Sequence, residues 1–323
     1  MDDSKLLITG SNGQLGRALQ ARYPNARAIT IQELNIATKM AVLDFDWANI
    51  TTVINAAAYT NVDGAETAEG RVAAWQANAV GVSNLSQACQ DNNLTLVHIS
   101  SDYVFDGTKS PHTEVEFFSP INNYGASKAA GDIAAALTQK HFILRTSWVI
   151  GQGKNFVRTM LDIGKKGIDP KVVCDQIGRP TFTSELVRAI DHLLSSDAEH
   201  GTYNITNGGE ETSWADITEI LFNQASLPRA VTKITTADYF AGKDGVAKRP
   251  LGSTFDLDKI HSSGFASRDW RDDLRDYVAS ELAASANASQ PASESPHASE
   301  PLAATETLPT RESPQATQPE KNA

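Results

Sequence analysis

Short apolar runs recur along the first half of the chain, each followed by a turn and then by a segment with helical spacing. "KLLIT" at 5–9, "ARAITI" at 26–31, "TTVINAAAY" at 51–59, "LTLVHIS" at 94–100 and "HFILRTS" at 141–147 are close to continuously apolar and do not alternate strictly. Runs of that kind fit strands buried on both faces, as in a parallel sheet covered by helices. "QLGRALQARY", residues 70–91 and a segment starting near Tyr124 read as the helices between them. The alternation predicts an α/β fold, a doubly wound parallel sheet of Rossmann-like type.

After residue 150 the pattern loosens. The spacing predicts helices at 153–166, 184–196 and 213–225, short strands near 171–174 and 202–206, and a closing amphipathic helix at 268–285. From 286 onward the chain is Ala, Ser, Pro, Glu and Thr with almost no large apolar residue, too little to offset its ordering entropy. The expected organisation is therefore residues 1–150 mainly as a nucleotide-binding domain, 151–285 mainly as a smaller substrate-binding region with its closing helix, and 286–323 as a disordered tail.

Composition changes this picture only at the margins. The 323 residues are 41% hydrophobic with a formal net charge of −11, which argues against a broad nucleic-acid surface. The two cysteines, Cys89 and Cys174, lie far apart and support neither a disulfide framework nor a thiolate metal site. The N-terminus is acidic where a signal peptide would be basic, and no apolar run approaches the ~18 residues that a membrane span needs. The expectation is a cytoplasmic protein. The seven histidines show no metal-ligand spacing, and His98, inside an apolar strand, reads as a packed core residue.

Candidate chemistry begins with "ITGSNGQLGRAL", which puts Gly10, Gly13 and Gly16 between a strand and a helix. Gly10 suits a tight turn, Gly13 lets backbone N–H groups approach a pyrophosphate, and Gly16 lets the helix pack close to the sheet. A glycine-rich turn needed only for packing would look the same in isolation; its place directly after the first strand favours a dinucleotide. No acid stands at the end of the second strand to hold an NAD ribose, and Arg17 follows the loop where it could meet a 2′-phosphate. NADPH is the expected coenzyme, with NADH as the alternative.

The fourth strand ends in Ser100 and Ser101, at the edge where open parallel sheets bind ligands. "NNYGASKAAG" then places Tyr124 four residues before Lys128, on one face of a helix. Tyrosine and lysine at that spacing are common on surface helices. Glycine loop, strand-end serine and this pair in succession form a more specific set. A nearby ammonium is expected to lower the phenol pKa and ready it for proton transfer, while Ser101 holds the substrate oxygen.

These features in this order resemble the extended short-chain dehydrogenase/reductase superfamily. "INAAAYTNVDGAE", "SSDYVFDG", "YGASKAAGD", "RTSWVIG", "DQIGRPT" and "RPLGSTFD" further resemble the dTDP-4-dehydrorhamnose reductase family, over residues 4 to 283. The resemblance implies hydride delivery from NADPH to C4 of dTDP-4-dehydro-L-rhamnose, with Tyr124 protonating the oxygen and Lys128 holding the nicotinamide ribose. It also implies that Gly13, Gln14 and Leu15 meet the coenzyme phosphates and that Ala57, Ala58 and Tyr59 lie along the coenzyme. Ser101, Asp102, Tyr124, Lys128 and Trp148 become sugar-nucleotide contacts, to which Asn155 and Arg249 are added, Arg249 as a pyrophosphate partner. Some family members are dimers joined by magnesium through glutamates; Ala18 stands where one such acid would sit, so no metal is expected, and a monomer or weak homodimer is. Association or fusion with the upstream epimerase is a further expectation. Two alternatives stand beside the reductase. One is a non-catalytic NADP-binding regulatory subunit. The other is another sugar-nucleotide reductase, epimerase or dehydratase of the same superfamily, the dehydratase disfavoured by Tyr103 where dehydratases carry a glutamate after the aspartate.

Overall fold

The computed structural model describes residues 2–288. The expected disordered tail lies, apart from its first residues, outside the described residues. Its start shifts slightly, because the closing helix continues to Ala288.

The first half alternates as the hydrophobic pattern predicts. Strand β1 (Leu6–Thr9) leads into α1 (Gln14–Arg22), β2 (Arg27–Ile29), α2 (Lys39–Leu43) and β3 (Thr52–Asn55). Helices α3 (Ala68–Trp75) and α4 (Gly81–Asp91) are joined through a π-helical turn at Gln76–Val80, so the single helix expected over 70–91 is one path with a bulge in it. Strand β4 (Thr95–Ser101), α5 (Asn123–Ala135) and β5 (His141–Thr146) complete the repeat.

The second half supplies β6 (Val149–Ile150), α6 (Phe156–Lys165), β7 (Lys171–Val173), β8 (Ile177–Gly178), β9 (Thr181–Phe182) and α7 (Thr183–Ser195). It continues through β10 (Gly201–Asn204), β11 (Thr212–Ser213), α8 (Trp214–Gln224), β12 (Thr232–Ile234), α9 (Thr236–Phe240), α10 (Asp258–Ser262) and α11 (Trp270–Ala288).

Six strands form one sheet in the order β10-β5-β4-β3-β1-β2, and every neighbouring pair is parallel. The strands bury alternate residues on opposite faces. Leu6, Ile8, Val97, Phe142 and Leu144 meet α1 and α7 on one side, with Leu19, Leu186 and Ile190. Leu7, Val53, Leu96 and Ile143 meet α4 and α5 on the other, with Val82, Leu85 and Ala135. Burial on both faces is why these runs are continuously apolar. A third cluster, around Ile150, Leu161, Phe222 and Trp270, is the core of the smaller C-terminal region.

The strand expected near 202–206 does not stay in that region. As β10 it pairs with β5 and completes the main sheet, Gly201 opposite Phe142 and Asn204 opposite Arg145. Periodicity identifies a strand; it does not say which sheet edge a crossover returns it to. The sheet reverses direction of winding between β1 and β3. Ligands of open α/β sheets bind outside the carboxyl ends of the strands at such a switch point. No described helix is long and apolar enough to cross a membrane.

Candidate active site

The carboxyl ends of β1, β3, β4 and β5 open into a cleft of about 820 Å³. Gly10 follows β1 with φ +70°, and a Cβ there would sit 2.6 Å from the backbone nitrogen of Ala57. The glycine loop therefore crosses the end of β3 at a distance that no side chain permits. Gly13 stands at the N-terminus of α1, which carries no side-chain cap. Its first amides are left for an anion at the positive end of the helix. Gly16 does not line the cleft; a Cβ there would lie 2.2 Å from the Gly10 carbonyl oxygen, so it is the residue that lets α1 close on the loop. A cradle this tight, at a helix start and a switch point, fits a dinucleotide pyrophosphate.

Gln14, Leu15 and Arg17 line the cleft as expected, together with Ala57 and Ala58. Two of these side chains also hold the turn after β6. Gln14 Oε1 accepts from the Gly151 N–H at 2.8 Å, and Arg17 Nη2 donates to the Gln152 carbonyl at 2.8 Å. At the end of β2 the cleft is bounded by Thr30 and Ile31. The nearby acid, Glu33, turns back on its own backbone and accepts from Thr30 N–H at 2.8 Å. No carboxylate is thus held ready for ribose hydroxyls, in keeping with the sequence expectation.

Helix α5 is set against the turn after β4 and the π-helical turn at Gln76–Val80 by its small residues. A Cβ on Gly125 would meet the Tyr103 carbonyl oxygen at 2.1 Å, and one on Gly131 the Asn78 carbonyl oxygen at 2.1 Å. Asn122 caps the helix, its Oδ1 accepting from Gly125 N–H at 2.7 Å, while its Nδ2 donates to the Lys248 carbonyl at 2.8 Å. Tyr124, Lys128 and Asp132 follow at successive i, i+4 positions on one face. Across from them, β4 and β5 place Ser101 opposite Thr146 at the strand ends. Ser101, Asp102, Tyr124 and Lys128 all line the same cleft as the glycine loop.

The electrostatics differ from the sequence expectation in one respect. The phenol of Tyr124 is pushed up to about 12, by burial first and then by the charge of Asp102, with a hydrogen bond from Ser101 pulling the other way. A lowered value, the effect expected from a neighbouring ammonium, is not what the protein alone produces. Lys128 is 2% exposed and its Nζ donates to the Ile99 carbonyl at 2.6 Å. Burial pushes it down to about 8, against the pull of Asp132. At Tyr124 burial and the Asp102 charge act together against the Ser101 hydrogen bond; at Lys128 burial outweighs the attraction of Asp132.

Beneath the pair runs a buried polar layer. Thr9 Oγ1 donates to Asn55 Oδ1 at 2.7 Å, and Asn55 Nδ2 lies 3.2 Å from His98 Nδ1. Asp132 accepts from Arg145 Nε at 3.0 Å. His98 is fully buried, and burial, with the charge of Lys128, holds it well below the usual imidazole range, so it is neutral. It belongs to the packing under the site, as the sequence suggests. Asp102 is pushed up to about 6 by burial, although Ser101 and Ser253 both donate hydroxyls to it, at 2.9 and 2.6 Å.

Three expected ligand residues lie elsewhere. Tyr59 is absent from the cleft wall; its backbone N–H and carbonyl are held by Asn78, and Thr60 and Val62 line the cleft instead. Asn155 caps α6 by accepting from Arg158 N–H at 2.9 Å and donates to Tyr277 Oη at 2.7 Å. Arg249 is paired with Asp63 at 2.8 Å and donates to the Ala247 carbonyl, outside the cleft wall. Trp148 does line the cleft, with φ +51°, a conformation unusual for a bulky residue. Residues that sequence reasoning missed are Thr146, Ser147, Lys154 and Trp214. Thr146 and Ser147 were within reach of it, since they end β5 beside Ser101; nothing in the spacing marks Lys154 or Trp214. Among the described residues no group of three or more His, Cys, Asp or Glu is arranged to hold a metal ion.

Comparison with known proteins agrees with this geometry. The model of the RmlD substrate binding domain matches residues 4–283. A dTDP-4-dehydrorhamnose reductase of Aggregatibacter actinomycetemcomitans is 37% identical, over 84% of this chain and 97% of that protein. Among solved structures, a dTDP-4-dehydrorhamnose reductase of Clostridium acetobutylicum superposes with a TM-score of 0.79 at 36% identity, over 86% of this chain and 99% of that one. That of Bacillus anthracis, solved in complex with NADP, superposes with a TM-score of 0.77 at 35% identity, over 85% of this chain and 97% of that one. With the matched region spanning the glycine loop, the Ser101–Tyr124–Lys128 set and the C-terminal region, the chain belongs to the dTDP-4-dehydrorhamnose reductase family, whose hallmark is the RmlD substrate binding domain.

Proposed function

We propose that this chain reduces the C4 carbonyl of dTDP-4-dehydro-L-rhamnose with NADPH, giving dTDP-L-rhamnose. The observation that carries the reading is the convergence of the uncapped glycine-loop helix with Ser101, Tyr124 and Lys128 in one cleft. A family of reductases, one of them solved with NADP, supports the same assignment.

When bound, the dihydronicotinamide supplies the hydride. The chain's own residues do the rest. The backbone N–H groups of Gln14 and Leu15, at the uncapped start of α1, would cradle the phosphates, on a turn that Gly10 and Gly13 close with the Gly13 N–H donating to the Gly10 carbonyl at 2.9 Å. Ser101, whose one hydroxyl proton goes to Asp102 in the free protein, turns that donor to the carbonyl oxygen and polarises C4, while Ser253 still donates to Asp102. As negative charge develops on that oxygen, Tyr124 Oη gives up its proton to it. A phenol held near 12 is fully protonated at neutral pH, which is the state a proton donor needs. Solvent then restores the proton to Tyr124. Lys128 uses one N–H on the Ile99 carbonyl and keeps its other donors for ribose hydroxyls.

In this reading residues 1–150 are mainly coenzyme-binding and 151–285 mainly sugar-nucleotide-binding, with α7 and β10 as the segments that the second half lends to the first. A cytoplasmic location belongs to the same reading. A monomer or weak homodimer, and association with the upstream epimerase, belong to the same proposal. The test is a reductase assay in which the upstream enzymes generate the ketosugar in place, run with NADPH and with NADH. The expected result is coenzyme oxidation that needs the epimerised sugar and yields dTDP-L-rhamnose. Tight coenzyme binding without turnover would instead favour a regulatory subunit.

A further inference from the structure

The substrate end of the cleft carries an aromatic pair that the reaction chemistry leaves unused. Trp148 follows β5 two residues beyond Thr146 and so stands beside the strand ends that hold Ser101. Its ring stacks on Trp214, with centroids 4.0 Å apart and planes 21° from parallel. Phe156 closes on the far partner, 4.3 Å from the Trp214 ring. Both indoles are half-buried and both line the cleft.

Trp148 is not placed by its own backbone preference. A left-handed φ is unfavourable for a bulky side chain and persists only where its surroundings hold it. Two contacts do so here. Gly178 leaves room for the indole edge, since a Cβ there would come within 3.3 Å of Trp148 Cζ2. Trp214 covers the ring face. The short antiparallel ladder of β8 with β11 brings these together, Gly178 opposite Thr212 and Ser213 opposite Ile177, with Trp214 the next residue in the chain. Among the described residues neither indole N–H meets an acceptor, unlike those of Trp47 and Trp270, which donate to the Val42 and Glu210 carbonyls.

We propose that Trp214 is a substrate-positioning residue: it backs one face of Trp148 and so holds the opposite face as a flat wall against which the apolar face of the deoxysugar lies. The inference rests on the reductase reading given above and assigns it the surface that orients the sugar. A 6-deoxyhexose carries a methyl group and axial C–H bonds that suit an aromatic face, and an indole edge with a free N–H suits its hydroxyls.

The bland alternative is that Trp214 only packs against the C-terminal core, beside Phe156. Two variants separate the roles. Trp214→Leu keeps apolar bulk and removes the flat ring; Trp214→Phe keeps a flat ring. With dTDP-4-dehydro-L-rhamnose generated in place, Trp214→Leu should raise KM about tenfold, the scale of one lost aromatic pair, with kcat within about threefold. NADPH affinity should stay unchanged, and Trp214→Phe should recover most of the lost KM. Circular dichroism gives an independent readout, because indoles stacked at 4.0 Å couple and both variants should lose that signal. Equal KM for the Leu and Phe variants, or a joint fall of KM performance, NADPH affinity and melting temperature, would overturn the proposal. Wild-type protein that binds NADPH but leaves the sugar unreduced would remove the reductase reading itself, and this inference with it.

Discussion

At the scale of single residues, the balance between desolvation and charge decides how the site works. Tyr124 is raised to about 12 and Lys128 lowered to about 8 because both are buried before any ligand arrives. The two shifts point to one pH window. Lys128 is an ammonium below its value and neutral above it, whereas Tyr124 stays protonated throughout the neutral range. The kcat/KM profile, which reports the free enzyme, should therefore be flat near neutrality and fall as pH rises through about 8. Lys128→Met should abolish that limb along with most of the rate. An alkaline limb that survives the substitution unchanged would belong to another group. Asp132, ion-paired with Arg145 beneath Lys128, is the group that keeps the lysine from falling further.

At the scale of elements, the site is made by close approaches that only certain residues permit. Gly10 combines a left-handed φ with a contact that would put a Cβ 2.6 Å from backbone. Gly10→Ala should strain the loop by about 1–3 kcal/mol and weaken NADPH binding at least about tenfold, measured by coenzyme fluorescence titration. Affinity retained in that variant would mean the loop does not carry the pyrophosphate. This much was legible in the chain, because strand, glycine spacing and helix are local signals. The Tyr124–Lys128 pair was legible for the same reason, as an i, i+4 relation inside one helix. The phenol's direction of shift was not, since burial is a property of the assembled fold. Arg249 and Asp63 pair across 186 positions, and Asn155 spends its side chain on capping α6. Polar residues of either kind look like ligand groups until their partners are known. Tyr59 lies outside the cleft wall, four residues beyond the end of β3 at Asn55, with its backbone held by Asn78. Trp214 carried no signal at all: a two-residue ladder brings it to the cleft, and so short a pairing has no periodicity to read.

For the whole molecule, the two halves are interleaved. β10 and α7 come from beyond residue 150, yet one completes the main sheet and the other packs on α1. The smaller region is fastened in turn by α11, whose buried Trp270 donates to the Glu210 carbonyl at 2.9 Å. With contacts shared in this way, thermal unfolding should follow one transition, with far-ultraviolet and near-ultraviolet circular dichroism coincident. Two resolved transitions would mean that the halves fold separately. The central claim, though, concerns one proton. The most direct test is Tyr124→Phe, compared with the wild type for NADPH affinity and for turnover of dTDP-4-dehydro-L-rhamnose. The account predicts a fall in kcat of about 10²–10⁴ with NADPH affinity unchanged. A variant that still turns over within about tenfold of the wild type would contradict it, because the proton would then come from elsewhere.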